Sequence, residues 1–424
     1  MLDRKEILAW IEKIKVKGHL SLGIDQGSSA VRYVLVDLDR REILRWGSYE
    51  VEGNQKDKEY HGLSAFFRNL AREIPPHKLR QINVNIQEPS VAIGRLQISA
   101  AGEEDRSNLI RLALRNQLSF RIEDAVYYCR EYQAKDDSKD KICFNFVAAD
   151  KTVLMHTAEL VEDQFHTRPN VSIQGYAYES LIQMLGLSQG DETISLLNMG
   201  RGITSISIFH QGKLVFQRDI PLAGQDMTRS IMIMYRDRAG EGRILNLDEA
   251  EKLKRSFAIP VSQEGQERGD LSEEQNQKLF QSLQGVFAAW IQDVRLSFNF
   301  FYDHYDARKI SKVYLCGGSA NLRNFIPYLR QQLGMNISRL AFSEGASLKM
   351  KESSGSRTFR ERFHEYAAAL AHAIKPGEYA NLSAGGSSVA TYANFLAPVL
   401  RVGLTFFAAI LLTWFLFCTC KHII

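Results

Sequence analysis

Ser21–Asp37, SLGIDQGSSAVRYVLVD, restricts what this chain can fold into more than any other stretch. Leu22 and Ile24 alternate with small or polar neighbours, and Val31 to Val36 is rich in β-branched and aromatic side chains. The pattern predicts two strands joined by a tight turn. The turn is Asp25-Gln26-Gly27-Ser28-Ser29. Gly27 permits positive φ, and successive N–H groups in such a turn can form an anion-binding concavity, to which Ser28 and Ser29 add hydroxyl donors. Asp25, at the strand end, is suited to hold a hydrated Mg²⁺ through water. Taken alone, a short Gly-rich turn is more often an ordinary hairpin than a grip on phosphate.

A second copy shifts that balance. Leu196–Phe209, LLNMGRGITSISIF, repeats the layout, with Asn198 in the place of Asp25 and Gly200 in the place of Gly27. Gly202 and Thr204 follow, and then Ser205 and Ser207 alternate with Ile206 and Ile208. An internal repeat of this kind predicts two similar lobes. A third glycine turn, Gly317-Gly318-Ser319, follows the apolar run Val313–Cys316 and leads to a helix expected near Asn321. A helix N-terminus presents free N–H groups and partial positive charge to a phosphate. Two hairpins and then a strand–Gly-Gly–helix unit, in that order, resemble the actin-like ATPase fold of the heat-shock chaperone ATPases and sugar kinases.

Composition excludes several other classes. A net charge of +4, spread along the chain, shows none of the basic stripe of a nucleic-acid binder. The 5 cysteines have no paired zinc spacing, and their odd number suits a reducing compartment. No HExxH is present, and the charge scattered through Met1–Lys17 does not fit a signal peptide.

In chain order, residues 1–17 set Ile7, Trp10 or Ile11, and Ile14 on one helical face among lysines, either a basic amphipathic helix or a short leader packed on the first lobe. Lobe one is expected at 1–189, interrupted at 81–185 by a small α+β insert. It holds strands near 81–87, 91–98, 127–132 and 142–148 and helices near 104–118 and 152–165. Lobe two is expected at 190–340, each lobe having a mixed five-stranded sheet. Its charged helix Leu247–Phe257 would be capped by Asp248, and a helix at Lys278–Tyr305 would turn Leu283, Val286 or Phe287, Trp290, Val294 and Phe298 into the core. Residues 341–376 return to lobe one through the helix Phe363–Ile374.

Residues 377–394, with Ser383-Ala384-Gly385-Gly386-Ser387-Ser388, read as a flexible linker to a transmembrane segment at 395–420. Val402–Cys420 carries no formal charge and as a helix would span roughly 28 Å, against a hydrocarbon core of about 30 Å. Basic residues gather on its N-terminal side, which favours a cytoplasmic globular part.

Within the actin-like group the chain resembles the PilM family of type IV pilus assembly, related to the cytoplasmic part of GspL of type II secretion. The resemblance rests on GIDQGSSAVRYVLVD, LNMGRGITSISIFHQGKLVFQRDIPLAG, LDEAEKLKR and VYLCGGSANLRNFIPYLRQQLG, and on an insert containing LSFRIEDAVYY, which chaperones and sugar kinases lack. It implies ATP with Mg²⁺ between the lobes. Asp25, Gly27, Ser28 and Ser29 would hold one side of the phosphates, and Gly200, Gly202 and Thr204 the other. Gly317, Gly318 and Ser319 would lie at the ribose and α-phosphate. Glu251, Lys254 and Arg255 either touch adenosine or form a solvated charged face. Asn198 stands where the family pattern has Asp, which implies weak hydrolysis or none. The implied partners are PilN/PilO-like or GspM-like bitopic inner-membrane proteins, with the assembly ATPase and a second copy of the chain as further candidates. The stretch Asn394–Pro398 with Arg401 resembles the tail of PilN that enters its membrane helix. The alternatives are an actin-fold phosphotransferase of sugar-kinase type, for which no acceptor-side carboxylate is evident, and an FtsA-like division tether.

Overall fold

The computed structural model describes residues 19–51, 56–74, 76–86, 91–100, 103–132, 141–237, 245–261, 270–305, 309–343, 346–350, 355–374, 381–384 and 388–390. The leader at 1–17 and the apolar run Val402–Cys420 lie outside them. Among the described residues no helix is long and apolar enough to cross a membrane.

The alternating residues of the first hairpin form β1 (Leu20–Gln26) and β2 (Ala30–Asp37), followed by β3 (Glu42–Glu50), α1 (Lys56–Glu73) and β4 (Leu79–Asn85). Next come β5 (Ala92–Ser99), α2 (Glu103–Arg115), β6 (Ala125–Tyr132), β7 (Lys141–Asp150) and α3 (Lys151–Phe165). The chain then adds β8 (Asn170–Ser172) and α4 (Gln174–Leu185). The second hairpin opens β9 (Thr193–Met199), β10 (Thr204–His210) and β11 (Lys213–Ile220), then α5 (Gly224–Asp237), α6 (Leu247–Ser256) and α7 (Glu273–His304). The third glycine turn follows β12 (Ile310–Cys316) and precedes α8 (Phe325–Leu333) and β13 (Ile337–Arg339). The last described elements are β14 (Lys349–Met350), α9 (Ser356–Glu361), α10 (Phe363–Ile374) and β15 (Ser388–Ala390).

The repeat seen in the sequence is a repeat of topology. One sheet runs β14-β3-β2-β1-β4-β8 and the other β11-β10-β9-β12-β13. In each, an antiparallel hairpin meander is extended by two strands parallel to its first strand. Lobe two has the expected five strands. Lobe one has a sixth, because β14 adds parallel to β3 through Lys349 and Met350. Two residues carry no readable period, so the strand was invisible in the sequence.

The insert forms a third sheet, β15-β6-β7-β5. β4, counted with the insert from its sequence, pairs instead in the lobe-one sheet, between β1 and β8. The stretch read as a linker supplies β15, which runs parallel to β6. Arg130 of β6 forms a buried ion pair with Glu179 of α4, and Glu179 Oε1 also accepts from the Leu214 N–H of β11 at 2.8 Å. One carboxylate thus ties insert, lobe one and lobe two together.

Lobe two is filled as its aromatic stripe predicts: Leu283, Phe287, Trp290, Val294 and Phe298 are all buried. α7 begins at Glu273, five residues before the expected start, because Ser272 and Gln275 form a capping box. α6 is capped by Asn246 with Glu249, not by Asp248.

α10 lies against β1 at backbone distance. A methyl on Gly23 would stand 2.1 Å from the Ala369 carbonyl oxygen and 2.2 Å from the Ala373 nitrogen. Ala367, Ala368, Ala369, Ala371 and Ala373 keep the helix thin enough for that approach. Gly23→Ala is therefore expected to destabilise the protein by about 3 kcal/mol, the upper range for overpacking. Gly285→Ala, on α7 with nothing within 4 Å of the added methyl, should be neutral or stabilising by up to about 1 kcal/mol. Urea denaturation of the two variants checks both.

Candidate functional site: a cleft between three glycine turns

The first turn closes through Gly27 N–H to Ala30 O at 3.2 Å and the second through Gly200 N–H to Ile203 O at 3.0 Å. The same local hydrogen bond thus shapes both. The turns face each other: a Cβ on Gly202 would lie 3.7 Å from the Ser28 hydroxyl. The third turn enters from the side. Gly317 takes φ of 88°, and a Cβ there would strike Asn198 Oδ1 at 2.4 Å and the Met199 carbonyl oxygen at 2.5 Å. Only glycine serves, both for its φ and for the space. Ser319 Oγ donates to Gly200 O at 3.0 Å, which binds the third turn to the second. Gly318–Asn321 is a 3₁₀ turn, and α8 starts only at Phe325, so the helix expected near Asn321 begins four residues later.

Together they bound a cleft of about 1470 Å³. Asp25, Gly27, Ser28, Ser29, Asn198, Gly200, Gly202, Glu251, Lys254, Arg255, Gly317, Gly318 and Ser319 all line it. Thr204 does not. It is fully buried, accepts from the Trp290 indole N–H at 3.0 Å and donates to Leu222 O at 2.7 Å. On β10 it shares a face with the core residues Ile206 and Ile208, so period two already directs it away from the cleft.

Asp25 is 8% exposed and accepts from Asn85 Nδ2 at 3.0 Å. Burial raises its pKa, against the opposing charge of Arg32 and the Asn85 hydrogen bond. Asn198 donates to Gln174 Oε1 of α4, and Gln174 Nε2 has no partner among the described residues. Thr228 of α5 sits beside Glu251. Lys254 Nζ reaches Gly224 O at 2.9 Å, Thr228 Oγ1 at 2.9 Å and Glu251 at 2.7 Å. Its donors are thus spent on holding the first turn of α5. Burial lowers the Lys254 pKa despite Glu251. Burial also pushes Glu251 up, but the Lys254 charge and hydrogen bonds outweigh it and hold the carboxyl below its ordinary value.

The sequence reading missed a polar latch at the cleft floor. Arg32 lies cross-strand from Asp25 and binds Glu365 of α10 at 3.2 Å. Glu365 also accepts from Asn321 at 2.8 Å and from Arg362 at 3.0 and 2.8 Å. His364 Nε2 lies 2.7 Å from Asn321 Oδ1, and the His364 carbonyl takes the Gly317 N–H at 2.9 Å. Burial, helped by the charge of Arg339, lowers the His364 pKa to about 4, so the ring is neutral near pH 7. Counting register through the first turn would have found Arg32. Glu365, 333 residues away, had no local signal.

Two lobes of one topology, closing on a cleft of three glycine turns, define a protein of the actin-like ATPase fold. Residues 23–376 match the family model of the type IV pilus assembly protein PilM, and the chain belongs to that family. Among solved structures it is similar to the PilM–PilN type IV pilus biogenesis complex, with 18% identity and a TM-score of 0.64 over 85% of this chain and 100% of that one. It also matches the ethanolamine utilization protein EutJ from Carboxydothermus hydrogenoformans, at 14% identity and a TM-score of 0.45 over 84% and 89%. A third match is the cytoplasmic domain of EpsL, an inner membrane component of the type II secretion system of Vibrio cholerae, at 10% identity and a TM-score of 0.34 over 63% and 95%.

Burial pushes Glu365 up, but hydrogen bonds from Arg362 and Asn321 and the charge of Arg32 prevail and hold its pKa at about 2, below the ordinary 4.5. A depressed carboxylate contributes stability that is complete above its unfolded pKa and is lost as pH falls through the folded one. Glu365→Gln should therefore cost about 2 kcal/mol near pH 7. The gap from wild type should shrink as pH falls from 4.5 toward 2, as urea denaturation at a series of pH values would show.

Proposed function

We propose that the chain is a membrane-anchored, ATP-binding scaffold of the inner-membrane platform for type IV pilus assembly. The observation that carries this reading is the convergence of three glycine turns on one cleft, two of them closed by the same hydrogen bond. The residues suit a nucleotide. Gly27, Gly200 and Gly202 leave the facing turns without side chains along the cleft, and the buried Nε of Arg32, a residue that lines it, has no partner among the described residues. In this reading Gly27, Ser28 and Ser29 hold phosphate from lobe one, and Gly200 and Gly202 from lobe two. Gly317, Gly318 and Ser319 approach the ribose side, and Glu251 and Arg255 the adenosine. Lys254 acts through the first turn of α5, and Arg32 brings positive charge to the phosphate end. Mg²⁺ would be held by Asp25 through water, and its charge would oppose the burial that favours the protonated carboxyl.

Hydrolysis is a separate matter. Asn198 supplies no negative charge and no site for a proton, and its amide is engaged by Gln174. Nucleotide then serves as a wedge between lobe one (1–189 and 341–376) and lobe two (190–340) rather than as a fuel. Isothermal titration should show Mg-dependent ATP binding that Asp25→Ala weakens at least ~10-fold, about 1.4 kcal/mol. Single-turnover assays should show hydrolysis that is very slow or absent and that Asn198→Asp accelerates by ~10² or more. Gln174 can accommodate the new carboxylate by turning its unpartnered Nε2 toward it. Brisk wild-type turnover would reject the scaffold reading, and absence of ATP binding at saturation would reject the nucleotide.

The partner in this reading is a PilN-like bitopic membrane protein, the pairing present in the similar pilus complex. The anchor is the charge-free run Val402–Cys420. The full chain should fractionate with the inner membrane, and deletion of 402–424 should release it; a full-length chain soluble without detergent would refute the anchor.

A further inference from the structure

Away from the cleft, the edge strand β5 of the insert sheet faces the edge strand β11 of the lobe-two sheet. Between them lies a cavity of about 320 Å³, which Ile173 and Tyr176 close from the side of lobe one. Three units of the fold thus share its wall, and such junctions are preferred places for small-molecule sites. No residue lines both this cavity and the cleft, and it lies at the opposite edge of the insert sheet from β15.

The wall is apolar within and cationic at its opening. Ile173, Tyr176, Leu214 and Phe216 are buried, whereas Phe300 is 37% exposed and Arg218 is exposed. The Arg95 guanidinium carbon stands 5.0 Å from the centroid of the Phe300 ring, and Arg95 donates to the Tyr132 hydroxyl. Arg218 Nη1 donates to Ser297 Oγ at 3.3 Å. A guanidinium has five N–H donors, so both cations keep donors for an anion. No carboxylate lines the cavity among the described residues, so nothing in its wall neutralises them.

The other polar groups divide sharply. Asn145 is spent, since its Nδ2 donates to Val215 O at 2.6 Å and its Oδ1 accepts from the Tyr305 hydroxyl at 2.8 Å. Gln217 is not spent. Its amide N–H meets Asp219, but its Oε1 is buried with no partner among the described residues. A Cβ on Gly175 of α4 would stand 1.9 Å from that oxygen, so the glycine is what lets the oxygen lie there. A buried acceptor left unpaired is costly, and a donor on a ligand would satisfy it.

We propose that this cavity is a second ligand site, for a small aromatic carboxylate that carries a hydrogen-bond donor on its ring. The carboxylate meets Arg95 and Arg218 at the opening, the ring lies among Ile173, Phe216 and Phe300, and the ring donor pairs with Gln217 Oε1. Leu214, which lines the same cavity, gives its N–H to Glu179, the ion-pair partner of Arg130. An occupant therefore touches the joint between insert, lobe one and lobe two and holds the three together.

The test uses the full-length chain without nucleotide and indole-3-acetate as the probe, which has a flat ring, one N–H and one carboxylate. Isothermal titration should give a Kd below ~100 μM. Indole-3-acetamide, which lacks the charge, and naphthalene-1-acetate, which lacks the N–H, should each bind at least ~10-fold more weakly. Arg95→Met should weaken the acid by ~10-fold or more and leave the acetamide unchanged. In wild type the acid should slow hydrogen exchange in 93–95 and 214–218 and leave 198–202 of the cleft unchanged, a readout that stands even if Arg95→Met does not fold. No binding of the acid at ~1 mM would overturn the proposal. So would equal affinity for the acid and either analogue, or protection confined to the cleft turns. Nucleotide is absent throughout, so the result is independent of whether the cleft binds ATP.

Discussion

The contact on which the rest of the structure depends is the backbone-to-backbone approach of α10 to β1 at Gly23. It lets a helix from the far end of the chain lie directly on the strand that carries Asp25. With the helix in place, its N-terminal residues reach the cleft, where His364 holds the Gly317 amide and Glu365 meets Arg32. At its C-terminal turn the His372 carbonyl accepts from Asn83 Nδ2 at 2.8 Å. A larger residue at Gly23 would displace both ends together.

Around that axis the cleft is held open by its own polar interior. Lys254, Glu251, Asn198 and Ser319 line the space, yet their hydrogen bonds run mostly to neighbouring turns and helix ends. Such bonds fix the glycine turns in place by contacts within the protein itself. Preorganised donors spare the cost of ordering them on binding.

The insert is coupled to this frame by polar and aromatic contacts. Arg130 and Glu179 bury a charge pair that also takes a lobe-two amide. Tyr305 of lobe two donates to Asn145 Oδ1 at 2.8 Å, and its ring stacks on Tyr132 with centroids 4.5 Å apart. Breaking a buried pair leaves an uncompensated charge, at a cost of roughly 3–5 kcal/mol. These contacts fix the position of the insert against both lobes.

Local patterns in the sequence determined much of this. The two hairpins, the third glycine turn, the aromatic stripe of α7 and the span of α10 follow from periods of 2 and 3.6 residues and from glycine's backbone freedom. Those properties act over a few neighbours and survive in any tertiary context. The inward face of Thr204 was equally legible from its alternation with Ile206 and Ile208. The tertiary structure alone decided the pairing of Arg32 with Glu365, the junction at Glu179 and the bond from the Val171 N–H to Asn381. It also decided the edge strands Lys349–Met350 and Ser388–Ala390, which are too short to show a period. Each depends on which groups meet in space at separations from 35 to 333 residues along the chain, and a buried charge or amide chooses its partner by position in space rather than by distance along the chain.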